Sequence, residues 1–140
     1  MKIPHLLVTF LTALLCLGAI SFADEKDEPK VDVKIPETAT ALWAEIDVKH
    51  QALVDVLKTK DAKAVYIAAE TVEALVRAIP DKYPDLAGDK KKRVEGQVKN
   101  TARVLDELHD AMNDGKADVA AKKLAQVEAA LKIIKSQIAP

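Results

Sequence analysis

From residue 38 onward the apolar residues return at alternating intervals of three and four, and a chain can bury such a pattern only along one face of a helix. Four stripes of this kind follow one another. The first is Trp43, Ile46, His50, Leu53 and Leu57, which predicts a helix over 38–59. Val65, Ala69, Val72, Val76 and Ile79 form the second, and Val94, Val98, Thr101, Leu105, Leu108 and Met112 the third. Ala120, Leu124, Val127, Leu131, Ile134 and Ile138 complete the set. No strand signal competes with them.

The residues between the stripes punctuate the chain at the same places. Lys60-Asp61 breaks the first helix, and the Asp61 carboxylate suits an N-cap, where it accepts a bond from an otherwise orphaned amide. Pro80 stops the second helix, and residues 80–89, with Pro80, Pro84 and Gly88, read as a longer surface connection. Asn113-Asp114-Gly115 ends the third, the glycine supplying the left-handed conformation of a helix C-terminus. Helices of about five turns joined by short, longer and short links predict an all-α fold, an up-down-up-down antiparallel four-helix bundle over 38–140.

What precedes the bundle is of two kinds. Residues 1–23 open with Lys2, continue as an apolar run from Leu6 to Ile20 and end in Ser21-Phe22-Ala23, the pattern of a secretory signal peptide cleaved after Ala23. The run falls short of the roughly 20 apolar residues a membrane span requires. Residues 24–37 are charged, carry Pro29 and Pro36 and lack a helical hydrophobic period, which predicts a flexible tether that binds nothing itself. Cleavage would remove Cys16, His5 and both phenylalanines, so the exported chain has no cysteine and no disulfide. Cys16 as a site of lipidation is disfavoured by Leu15, which stands where lipoprotein processing needs a small side chain. Neither Asn100 nor Asn113 lies in a glycosylation sequon, and with the lack of cysteine this points to a bacterial periplasm.

The whole chain has 21 basic and 22 acidic residues; without Lys2 the balance is 20 against 22, a net of −2. Both signs are interspersed along the helices, which argues against nucleic acid or an anionic membrane as the main partner. One basic run exists, Lys90-Lys91-Lys92-Arg93, beside the acidic Asp81, Asp85 and Asp89. Its default reading is a solvated segment. Cations oppose the positive end of a helix dipole, so a helix beginning there would favour a role in docking a protein partner, with Tyr83 in the adjoining connection as a further contact. A monomer or weak homodimer is expected.

Few residues are left for cofactor chemistry. His50 occupies a seam position where an aliphatic residue is expected, and a buried imidazole needs either a polar neighbour or a metal. Counting from the short first turn puts Glu70 and Thr71 at a similar depth on the second helix, as its expected partners. His109 and Met112, three apart, share a helix face and would suit copper(I), although Met112 also serves as core filling. Two Asp-x-x-His pairs occur, Asp47 with His50 and Asp106 with His109, but inward glutamates to match them are not evident. The exported chain has a single serine, Ser136, no cysteine and no Gly-rich phosphate loop, so no enzyme activity is predicted.

In layout the chain resembles the small soluble b-type cytochromes of the bacterial periplasm. The likeness rests on the export signal, four helices of matching order between Ala41 and Gln137, and the Asn113-Asp114-Gly115-Lys116 junction, with the best local match from Asp106 to Lys116. The resemblance implies a haem clamped by a methionine early in the first helix and a histidine late in the last. This chain has Ile46-Asp47 and Ile134-Lys135 in those neighbourhoods, so the ligand pair does not carry over. The expectation is therefore a non-catalytic periplasmic binding or interaction module with no cofactor. The alternative is a haem or copper protein using His50, His109 and Met112.

Overall fold

The computed structural model describes residues 30–139. Four α-helices follow in chain order: α1 (Ala39–Thr59), α2 (Ala62–Arg77), α3 (Gly88–Asn113) and α4 (Ala117–Ile138), with one 3-10 turn at Pro80–Lys82 between α2 and α3. No strand occurs among the described residues. None of these helices is long and apolar enough to cross a membrane. The signal-peptide reading of residues 1–23 lies outside the described residues.

Each boundary has a local cause. Thr38 is extended, and its hydroxyl accepts from the Ala41 amide at 3.2 Å, capping α1. Lys60 ends that helix in the left-handed region at φ 59°, its own amide donating to the Leu57 carbonyl. Asp61 then caps α2 as expected, Oδ1 accepting from the Ala64 amide at 3.1 Å. Beyond α3, Gly115 at φ 73° donates to Met112 O and Lys116 donates to Ala111 O at 2.7 Å. Those two bonds form a Schellman motif, the closure that glycine makes without steric cost.

All of stripes two and three, and stripe four apart from the half-buried Ile138, are buried in one continuous core. The first stripe is different. Of its residues only Ile46 and Leu53 are fully buried, whereas Trp43, His50 and Leu57 are half-buried, and Leu42, outside the stripe, takes the enclosed place beside Trp43. The packing explains this: α3 lies most extensively on α4, α2 on α3 and α1 on α2, but α1 and α4 touch sparsely. Half of the α1 face therefore looks into a thinly filled seam. These contacts are consistent with a bundle whose fourth side is the least closed.

The link between α2 and α3 is tighter than a plain surface loop. Lys82 and Tyr83 donate to the carbonyls of Ile79 and Pro80, and Leu86 to that of Tyr83. Tyr83 and Leu86 turn half-buried against the core. Residues 30–36 carry no helix, and Val33 and Ile35 pack against the core. Composition alone hides that contact, because the apolar residues of Val-Asp-Val-Lys-Ile alternate singly among charges.

Candidate functional site

His50 opens onto the α1–α4 seam. Its Nε2 is buried and has no hydrogen-bond partner among the described residues, and the Glu128 carboxylate of α4 lies with Oε1 at 4.0 Å. The His50 side chain is 15% exposed. The expected partners on α2 are engaged elsewhere: the Thr71 hydroxyl donates to the Ile67 carbonyl at 2.7 Å, and Glu70 lies beside Glu73 and Asp106. Rotation about the helix axis turns His50 toward α4 instead.

One turn before His50, Asp47 accepts from Lys135 Nζ at 2.8 and 3.0 Å. That ammonium also lies 4.9 Å from the Trp43 ring centroid, a cation–π distance. Asp47, His50, Glu128, Leu131, Lys132 and Lys135 line a groove of about 260 Å³. Trp43 in turn donates its indole N–H to the Tyr83 hydroxyl at 2.9 Å, which ties the α2–α3 connection to α1.

His109 belongs to a different seam. Its ring meets Tyr66 of α2 edge-on, with centroids 4.6 Å apart, and Nε2 lies 2.6 Å from Asn113 Nδ2. Met112 instead enters the core and is 5% exposed. The three soft ligands anticipated for haem or copper are thus distributed: His50 on the α1–α4 seam, His109 against α2, Met112 in the interior. Helical spacing of three puts two residues on adjacent rows, and here the rows diverge.

The basic run does begin a helix. Lys90, Lys91, Lys92 and Arg93 stand exposed in the first two turns of α3, and none of them forms an ion pair with a carboxylate among the described residues. Lys90 Nζ reaches the Ala139 carbonyl at 3.5 Å, and Arg93 Nε donates to the Asp89 carbonyl at 3.3 Å. The negative end of the α4 dipole thereby offsets part of the repulsion at the start of α3. Lys90, Arg93, Ser136, Gln137 and Ala139 border one groove, and Trp43, Tyr83, Lys135, Ile138 and Ala139 another. Ala139 is common to both, so the basic run and the Tyr83 loop flank the same end of α4.

One cluster escaped the pattern reading. Carboxylate oxygens of Glu70 and Glu73 on α2 and Asp106 on α3 all lie within 4.8 Å of one another. Glu73 is 9% exposed and is bonded by Arg77 Nε at 2.6 Å. Burial pushes its carboxyl above the ordinary glutamate range; Arg77 opposes the shift, while Asp106 and Glu70 add to it. Its position gave the signal: Glu73 is four residues after Ala69 and three before Val76, squarely on the apolar face.

Comparison of the chain with models of protein families, with curated proteins and with solved structures finds no match.

Proposed function

We propose that this chain is an exported, non-catalytic four-helix bundle of up-down-up-down antiparallel topology that acts in the periplasm by binding a protein partner. Three contacts support the topology. Lys135, late in α4, bonds Asp47, early in α1; Lys123, early in α4, bonds Glu107, late in α3; and Lys90, at the start of α3, reaches Ala139 beyond the end of α4. The two-residue link between α1 and α2 fits the same arrangement.

The observation that carries the binding reading is the placement, in the first two turns of a helix, of four cations that form no ion pair among the described residues, near the groove of Trp43 and Tyr83. A cluster of like charge at the unfavourable end of a helix dipole costs stability, and an acidic partner surface would offset that cost. Aromatic residues at the rim supply apolar contact area. The partner is then a protein presenting a carboxylate-rich segment.

Cross-linking in periplasmic extract, followed by titration of the purified captured protein, tests this. Binding should weaken with salt and be lost when Lys90, Lys91, Lys92 and Arg93 are replaced by Glu. Undiminished binding by that variant would sink the reading. An amino terminus found at Asp24 after cell fractionation would establish export.

A further inference from the structure

Two grooves meet at the C-terminal end of α4, and their chemistry differs. One, of about 280 Å³, is bordered by Lys90, Arg93, Ser136 and Gln137; the other, of about 310 Å³, by Trp43, Tyr83, Lys135 and Ile138, with Ala139 common to both. In the first, Lys90 Nζ and Arg93 Nε each reach only a main-chain carbonyl, that of Ala139 and that of Asp89. The two terminal nitrogens of the Arg93 guanidinium are left for a carboxylate, which they can hold through two parallel bonds. No side chain caps the start of α3, so the positive end of its dipole adds to both cations. Gln137 Oε1, in the same groove, is buried and accepts no hydrogen bond among the described residues. Such an acceptor is costly until a donor reaches it, and a main-chain N–H entering the groove is one.

The second groove offers apolar surface although a lysine lines it. Lys135 is paired with Asp47 at 2.8 Å, so its charge is already answered within the protein. Trp43 donates to the Tyr83 hydroxyl at 2.9 Å, which holds both aromatic rings in place before anything binds and lowers the entropy lost on binding. A bare anion would leave this half unused. An extended peptide uses both halves, because it carries carboxylates, main-chain N–H groups and apolar side chains on one strand. We propose that the two grooves form one cleft for a short extended acidic segment of the partner, its carboxylate held by Lys90 and Arg93 and a large apolar side chain a few residues away seated against Trp43, Tyr83 and Ile138. This cleft rests on the partner-binding reading above and adds to it an apolar anchor, which separates recognition from charge attraction alone.

Capped, fluorescein-labelled peptides with two adjacent glutamates and one leucine, one to four glycines apart, test the cleft when titrated into the purified full chain and followed by polarisation. At one spacing or more the dissociation constant should fall below about 0.5 mM, and it should rise by about tenfold or more when the leucine of the peptide is replaced by serine. Lys90→Glu together with Arg93→Glu should abolish binding, and Ile138→Asp should weaken it by about fivefold or more. Circular dichroism checks both folds; the serine peptide needs no variant and decides if Ile138→Asp is unfolded. No saturable binding at any spacing overturns the cleft, and so does binding indifferent to the leucine. Dimers in sedimentation that the charge reversal dissociates would put a second copy in the cleft and overturn it too. If every peptide fails while a captured partner still binds through Lys90 and Arg93, the cleft falls and the partner reading stands; if that partner also binds the charge-reversed chain undiminished, both fall.

Discussion

Helix α4 faces two neighbours and treats them differently. Its Ala120, Leu124, Val127, Leu131 and Ile134 are buried in the common core, and it is tied to α3 by a glycine-closed turn and by the Lys123–Glu107 ion pair. Toward α1 it presents Glu128, Lys132 and Lys135 around a groove, with an unpaired imidazole nitrogen beside them. The first contact carries stability. The second gives up close packing and leaves one buried imidazole nitrogen, His50 Nε2, without a hydrogen bond.

The sharpest way to break that comparison is to remove matched side chains from its two sides. Leu105 is fully enclosed in α3 and part of the common core, so Leu105→Ala should cost about 2–5 kcal/mol in urea denaturation, through lost burial and the cavity left behind. His50→Leu should be neutral or stabilising by up to about 1 kcal/mol, because it replaces an unsatisfied buried nitrogen with an aliphatic chain. Equal losses at the two positions would show that the α1–α4 seam is packed as tightly as the rest.

A smaller effect separates the turns at the two ends of the chain. Gly115→Ala places a side chain at φ 73° and should destabilise by about 1–2 kcal/mol. Lys60 already accepts the left-handed conformation with a side chain at φ 59°, so Lys60→Gly should stabilise by about 0.5–1 kcal/mol. Thermal midpoints moving in opposite directions would bear out the contrast. Parallel shifts would mean that turn strain does not distinguish the α1 end from the α4 end.

Most of the helical frame was legible because α2, α3 and α4 each bury one continuous face, and a period of 3.6 reports such a face directly. It was less legible for α1, which shares its buried face between α2 and a thinly filled seam. There Leu42 takes the enclosed place and Trp43 turns its indole to Tyr83. The partner of His50 was misassigned for a related reason: residue counting measures depth along an axis, while the choice between α2 and α4 depends on rotation about it. Val33 and Ile35 were hidden by the charges between them. Glu73 went unnoticed because a carboxylate on an apolar face is read as an exception until Arg77, four residues on, is seen to pair with it.

Glu73 also extends the comparison to a third seam, between α2 and α3, where a buried charge is retained rather than left open. Burial raises its carboxyl, so the folded chain holds that proton more tightly than the unfolded chain does. The sign of the linkage follows. The stabilisation from this group is complete at pH below the unfolded glutamate value and is lost as pH rises through the raised folded value, where an ionised Glu73 must lie near Asp106 and Glu70. Glu73→Gln keeps a hydrogen-bond acceptor for Arg77 and removes the titrating charge. It should flatten that part of the pH profile and leave the protein at neutral pH as stable as the parent, or more stable by less than about 1 kcal/mol. Denaturation midpoints across pH 4 to 7 measure this; a variant less stable than the parent at neutral pH would show that the Arg77 ion pair outweighs the cost of the buried charge.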